Sequence, residues 1–212
     1  MSEPASEPSS TVRIDRVRTS GTFSLDGQDF DVENNIWLVG DDDEVVVIDA
    51  AHDAAPIVEG VAGRRVAAIV CTHGHNDHVN AAVDLADRVS APVLLHPDDR
   101  MLWDTVHPGR APDGELGDGD RVGGMVVLHT PGHTPGGVCL HLEGEGVLFS
   151  GDTLFNGGPG ATGRSFSDHP TILRSIRERL LVLPADTVVH TGHGDDTTIG
   201  AEGPGIPVAS EP

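Results

Sequence analysis

Apolar residues fall into short, separated runs along the chain, and their spacing switches between period two and the helical period. Residues 12–17 alternate and predict a strand. Residues 35–39 (NIWLV) and 45–48 (VVVI) predict two strands joined by the acidic turn Asp41-Asp42-Asp43, a hairpin. Residues 54–61 predict a short helix. Residues 67–71 (AAIVC) form a continuous apolar run, as in a central strand buried on both faces. From Asn76 onward Val79, Ala82, Val83, Ala86 and Val89 recur on one helical face. Residues 93–95 predict a strand and 98–103 a short helix. A loop rich in Pro, Gly and Asp follows over 104–120. Three further strands are expected at 126–129, 138–141 and 147–149. Pro170 suits the first turn of a helix whose buried stripe is Ile172, Leu173, Ile176, Leu180 and Leu181. Residues 188–190 predict a last strand. This order predicts one mixed α/β layered domain over residues 11–200, between Pro/Ser/Glu/Gly-rich tails at 1–10 and 201–212.

The polar residues that punctuate these runs concentrate chemistry. Thr72-His73-Gly74-His75-Asn76-Asp77-His78 follows the buried strand directly and opens the helix. His73 and His75, two apart in an extended turn, can face one point, and Gly74 lets the backbone bend between them. Asp77 and His78 can aim at a neighbouring point. His133 (in TPGHTPG), Asp152 (in SGDT) and His193 (in TGHG) each sit in a glycine-flanked loop after a predicted strand. Layered α/β folds collect their sites on such loops at one sheet edge. Imidazole with carboxylate and no thiolate suits zinc, with iron and manganese as alternatives. Seven donors exceed one tetrahedral ion and suit two with a bridging carboxylate. Asp49, ending VVVID, is placed to fix the tautomer of a ligand histidine from behind. His52, His96, His107, His129, His141, His169 and His190 read as ordinary histidines, with His52 the nearest to a pocket position, and Asn34 and Asn35 read as turn formers.

Composition narrows the chemistry. The 212 residues carry 34 acidic side chains against 13 basic ones, a formal charge of −21, and every basic residue is arginine. That charge repels nucleic-acid phosphates and anionic membrane surfaces. Without lysine or tyrosine, Schiff-base, phosphate-loop-lysine and phenolic chemistries are excluded. The two cysteines, Cys71 and Cys139, lie in apolar runs and predict buried thiols in a reducing, cytoplasmic setting. The polar start (MSEPASEPSS) reads as no signal peptide, and no apolar run has the ~20 residues that span a bilayer.

HxHxDH followed by single His, Asp and His resembles the metallo-β-lactamase superfamily over residues 12–200 or so, and TPGHTPG, SGDTLF and GHG…TTIG resemble its glyoxalase II-like hydrolases most. The resemblance implies an αββα sandwich. It implies that His73, His75 and His133 hold one metal, that Asp77, His78 and His193 hold a second, and that Asp152 bridges them. His75 stands where flavodiiron proteins carry Glu, the bridging Asp is absent from antibiotic-cleaving relatives, and lactone hydrolases use a tyrosine this chain lacks. Typical glyoxalase II also continues into a longer helical part with Tyr and Lys/Arg contacts to glutathione. Only 60 residues follow Asp152 here.

The activity implied is hydrolysis of a thioester of a small thiol by a hydroxide held between two Zn²⁺ ions, with Asp77 helping to orient it. An arginine-only, acidic composition is what a GC-rich genome encodes, as in actinobacteria, so a mycothiol conjugate is one candidate substrate. The alternative on the same fold is a mononuclear iron persulfide dioxygenase using His73, His133 and Asp152. A lid over residues 101–119 would supply Trp103 as an apolar wall and Arg110 as an anion clamp. Arg164, in the loop over 155–168, would bind a substrate carboxylate or else pair structurally with an acidic neighbour.

Overall fold

In the computed structural model, which describes residues 11–207, two six-stranded sheets stack face to face with helices on both outer sides. The first sheet runs in chain order: β1 (Arg13–Leu25), β2 (Gln28–Gly40), β3 (Glu44–Ile48), β4 (Arg65–Val70), β5 (Val93–Leu95) and β6 (Gly114–Glu115). Its first three strands are antiparallel neighbours, and β3 to β6 are parallel. The second sheet uses β7 (Arg121–Val122), β8 (Met125–His129), β9 (Val138–Leu142), β10 (Val147–Gly151), β13 (Val188–Thr191) and β14 (Thr197–Thr198), in the order β14-β13-β10-β9-β8-β7. A separate two-stranded ribbon pairs β11 (Leu154–Phe155) with β12 (Gly158–Pro159).

Alternation along the strands sorts the core into three layers. Trp37, Val39, Val46 and Ile48 point inward and meet Met125, Val127, Leu140 and Phe149 between the sheets. Their chain neighbours Ile36, Leu38, Val45 and Val47 point outward, under α1 (Ala54–Val61), α3 (Ala82–Val89) and α4 (Arg100–Val106). On the far side Cys139, Leu148 and Val189 pack under α5 (His169–Ser175) and α6 (Ile199–Glu202). A period-2 strand with apolar residues on both faces is what a sheet covered on both sides requires. The αββα architecture is therefore present. Both cysteines are buried and unpaired, in different layers.

Four expectations change. The first strand is not confined to residues 12–17: β1 runs to Leu25 and turns at Asp26-Gly27, both with positive φ (54° and 72°), into β2. Asp-Gly is the favoured pair for such a two-residue turn, because it matches the strands' own twist. The helix expected from Asn76 splits into α2 (Asn76–Val79) and α3. The carbonyl of Asp77 accepts from Asn34 Nδ2 at 2.9 Å, and the Ala81 N–H donates to Ala50 O at 3.1 Å, so the helical bond between 77 and 81 is absent. The C-terminal tail does not begin at 201. Ile206 is buried in the third layer, and Glu202 accepts from Thr197 Oγ1 and from the Gly157 N–H. The tail residues 1–10 and 208–212 lie outside the described part. Trp103 is no lid wall: it is fully buried in the outer layer beneath α3, and its Nε1–H donates to Arg110 O at 2.6 Å. No helix among the described residues is long and apolar enough to cross a membrane.

Replacing a buried Trp by Ala costs about 3–5 kcal/mol through lost burial and the cavity left behind. Trp103→Ala is accordingly expected to lower the unfolding free energy of the metal-free protein, read from urea denaturation, by that amount while leaving KM for any substrate within twofold. A raised KM with unchanged stability would return Trp103 to the pocket.

Candidate metal centre

The loops that leave β4, β8, β10 and β13 converge at one edge of the sandwich. They bring His73, His75, Asp77, His78, His133, Asp152 and His193 together. Within each of three sets the donor atoms lie within 4.8 Å of one another: His73/His75/His133, His73/His78/Asp152 and Asp77/His78/His193. His75 Nδ1 is 3.1 Å from His73 Nε2 and 3.0 Å from His133 Nε2. Opposite them, His78 Nε2 is 3.1 Å from His193 Nε2. Asp152 stands between the groups, with Oδ2 3.6 Å from His133 Nε2 and 3.5 Å from His193 Nε2, and Oδ1 3.4 Å from His78 Nε2.

The outer ring nitrogens explain why the inner ones face each other. His133 Nδ1 donates to Ala161 O at 2.8 Å, and His193 Nδ1 donates to Glu33 O at 2.7 Å. A carbonyl only accepts, so both rings carry their proton at Nδ1 and can turn a bare Nε2 inward. Asp49 does the same from below. Its Oδ2 takes His78 Nδ1 at 2.9 Å and Thr72 Oγ1 at 2.8 Å, and the Thr72 oxygen in turn meets His73 Nδ1 at 3.1 Å. Its Oδ1 takes the Thr72 N–H at 2.7 Å. Asp49 adopts a left-handed backbone (φ 59°), a conformation costing of order 1 kcal/mol that three buried bonds hold in place.

Charge is divided between the two sides. Burial keeps His73 well below the ordinary imidazole range, reinforced by its neighbours His78 and His75. Burial, with the His133 charge, pushes His75 down to about 3. These rings stay neutral at any physiological pH. On the other side burial also opposes charge on His193, but Asp152 and Asp77 outweigh it and raise that ring to about 10. His78 is likewise raised, burial being overcome by Asp152, Asp77 and Asp49. Asp77, despite burial, is lowered to about 2 by His78 and His193. Three buried atoms of the centre have no hydrogen-bond partner: His75 Nε2, Asp77 Oδ1 and Asp152 Oδ1. Inward lone pairs that cannot take protons, beside carboxylates that hold protons on their partners, fit a pair of divalent cations.

Asn34 and Asn35 are buried in the middle of β2 and are not turn residues. Asn34 Nδ2 bonds Asp77 O at 2.9 Å and Oδ2 at 3.2 Å, while its Oδ1 meets His52 Nε2 at 2.8 Å. Asn35 ties the last loop through Thr191 O (3.1 Å) and Gly194 O (2.9 Å). Phe23, on the β1–β2 hairpin, packs against His75 with ring centroids 5.2 Å apart. With Leu25, Ala161 and His133 it lines a small apolar recess beside the centre. The Asp26-Gly27 turn was the signal for this wall. Arg164 borders the recess, and its guanidinium also bonds Gln28 Oε1 (2.9 Å) and stacks on the Phe30 ring (4.6 Å), so it clasps the hairpin. Arg110 does not join the centre. It faces Asp87 and Asp113 at 3.5 and 3.8 Å, in a groove beside α3.

A family model for the metallo-beta-lactamase superfamily matches residues 30–193. An uncharacterized protein of Aquifex aeolicus is 39% identical over 183 residues, which cover 79% of this chain and 87% of that protein. A hydroxyacylglutathione hydrolase of Aeromonas salmonicida is 35% identical over 76% of this chain and 61% of its own length. Among solved structures, TTHA1623 in a di-iron-bound form is similar with a TM-score of 0.76 and 34% identity, covering 81% of this chain and 93% of that one.

Because His193 holds a proton until about pH 10 in the metal-free chain, a cation entering beside it must displace that proton. Raising the pH removes the competitor, so affinity on this side is expected to rise about tenfold per pH unit for each ring, His193 and His78, that gives up its proton between roughly pH 7 and 9. On the other side His73 and His75, held neutral by burial, have no such proton to give up. Titration calorimetry in buffers of different ionisation enthalpy reads this directly, and equal proton release from both sides would contradict the division of charge.

Proposed function

The chain belongs to the metallo-beta-lactamase superfamily and is a metallo-hydrolase of that kind, and from this premise we propose that it cleaves a thioester of a small thiol at a binuclear centre. The observation that carries the proposal is the pair of adjacent donor sets with Asp152 lying between them, 3.6 Å from His133 and 3.5 Å from His193. In this reading His73, His75 and His133 would hold one ion and Asp77, His78 and His193 the other, with Asp152 within reach of both sets. Two divalent ions bound there would supply Lewis acidity, lowering the pKa of water towards ~7 and polarising a carbonyl.

The protein's own groups do the rest. Asn34 anchors Asp77 through Oδ2 and leaves Oδ1 buried without a partner. That oxygen is the one proposed to take a hydrogen bond from the attacking water and orient it. Asp49, Ala161 O and Glu33 O keep the ligand rings in one tautomer, so none has to reorganise during the reaction. Phe23 and Leu25 exclude water from one side of the recess and offer an apolar surface to the substrate. A thiolate leaving group, with a thiol pKa near ~8.5, departs without a strong general acid. The absence of tyrosine and lysine from the chain is consistent with such a substrate.

The relative named hydroxyacylglutathione hydrolase supports the substrate class, and glutathione, mycothiol and coenzyme A are the carriers to compare. Zinc is the proposed ion. The donor set also suits iron, which the similar TTHA1623 structure holds. Two unpaired, buried thiols support a reducing, cytoplasmic setting. A mononuclear persulfide dioxygenase would need only His73, His133 and Asp152, and would leave Asp77, His78 and His193 without a use.

The test pairs metal content by mass spectrometry with a thioester panel on those three carriers. Two equivalents of metal and turnover of at least one thioester are expected, with Asp77→Ala lowering kcat by roughly 10²–10⁴. One equivalent of iron, oxygen uptake with a persulfide and no thioesterase activity would replace this reading by the dioxygenase.

A further inference from the structure

We propose that Asp99 is a positioning residue that sets the spacing of the His73/His75/His133 side of the centre by holding the two loops that carry those histidines on one carboxylate. The inference rests on the reading above that these three rings hold an ion.

Asp99 is fully buried, at the end of the single 3₁₀ turn Pro97–Asp99 and at the N-cap of α4. An aspartate in that position ordinarily accepts from the N–H groups of its own helix. Here it makes no such bond. Its Oδ2 accepts the Gly74 N–H at 2.8 Å and Thr134 Oγ1–H at 2.7 Å, and its Oδ1 accepts the Gly136 N–H at 2.6 Å. Gly74 lies between His73 and His75, and Thr134 and Gly136 follow His133. Every bond from this carboxylate therefore ends within three residues of a histidine of the trio, and none ends beside Asp77, His78 or His193. The centre's other side is tied instead by Asp49 and Asn34.

Two glycines record how closely the loops approach. A Cβ on Gly74 would come within 2.9 Å of Asp99 O, and a Cβ on Gly136 within 2.7 Å of Asp99 N. Neither contact can relax, because each falls on backbone. The pattern Gly74…Asp99…Thr134-Pro135-Gly136 is thus one device. His73 and His75 come from one loop and His133 from another, 58 residues away from His75. Their mutual distances depend on the gap between the loops, and a buried carboxylate with three charge-assisted donors fixes that gap.

The experiment measures zinc affinity by chelator competition, so it does not depend on any substrate. His193→Ala isolates the trio side, and His133→Ala isolates the opposite side. Asp99→Asn keeps the shape but turns an N–H₂ towards one of the three donors. In the His193→Ala background it is expected to weaken zinc binding 10–100-fold, the usual effect of losing a partner behind the ligands. In the His133→Ala background the change should be less than twofold. Thr134→Val, which removes one donor and leaves the other two, should give a smaller loss confined to the same side. It also serves if Asp99→Asn fails to fold. Unchanged affinity on the trio side, or equal losses on both sides with lowered thermal stability, would overturn the proposal and leave Asp99 a general structural residue. A wild-type chain that binds no second zinc would overturn the binuclear reading, a separate result.

Discussion

Five imidazoles and two carboxylates, buried or half-buried with their inward atoms facing one another, must be held there by the groups behind them. This constraint orders the rest of the molecule. Four of the five rings are gripped from the outer side by an acceptor: a backbone carbonyl behind His133, another behind His193, and the Asp49–Thr72 pair behind His78 and His73. Those acceptors are themselves fixed, since Asp49 directly follows a central strand, Glu33 lies within β2, and Ala161 lies in the loop after β12. The sandwich thus supplies rigidity at one edge, and the three hydrophobic layers are what make that edge rigid.

The same constraint explains what the amino-acid sequence discloses and what it conceals. HxHxDH is legible because all its members are local, and spacing alone carries them to the mouth of α2. Layering is legible where strand residues alternate between two apolar faces, as Ile36-Trp37-Leu38-Val39 do. Long-range partnerships are not. Asn34 and Asn35 read as turn formers because nothing nearby reveals that their amides reach residues 77, 191 and 194. Trp103, Arg110 and Arg164 sit in loop-like sequence that suggested a substrate pocket, yet a tryptophan can as well fill a core, and in an acidic chain an arginine readily finds a structural acceptor. The Asp26-Gly27 hairpin was readable from its turn, and its polar, half-exposed strands masked it.

Two kinds of support therefore surround the centre. Carboxylates and carbonyls behind the rings fix orientation, whereas Asn34, Asn35 and the clasp of Arg164 on Phe30 fix which segments of chain lie next to each other. The first kind acts over a single bond. The second joins the earliest strands to the latest loops, and without it the donors would still exist but would not meet.

The bonds of Asn35 to residues 191 and 194 span 156 and 159 positions, and Asp26 reaches Ser165 across 139. Contacts so distant along the chain raise the contact order and close late in folding, after the local helices and hairpins have formed. During synthesis from the N-terminus, the loop bearing His73 and His75 emerges well before the strand that delivers His193. A growing chain consequently exposes loose imidazoles and carboxylates to whatever cations are present, and acquires the geometry that discriminates among them only when its last strand has docked.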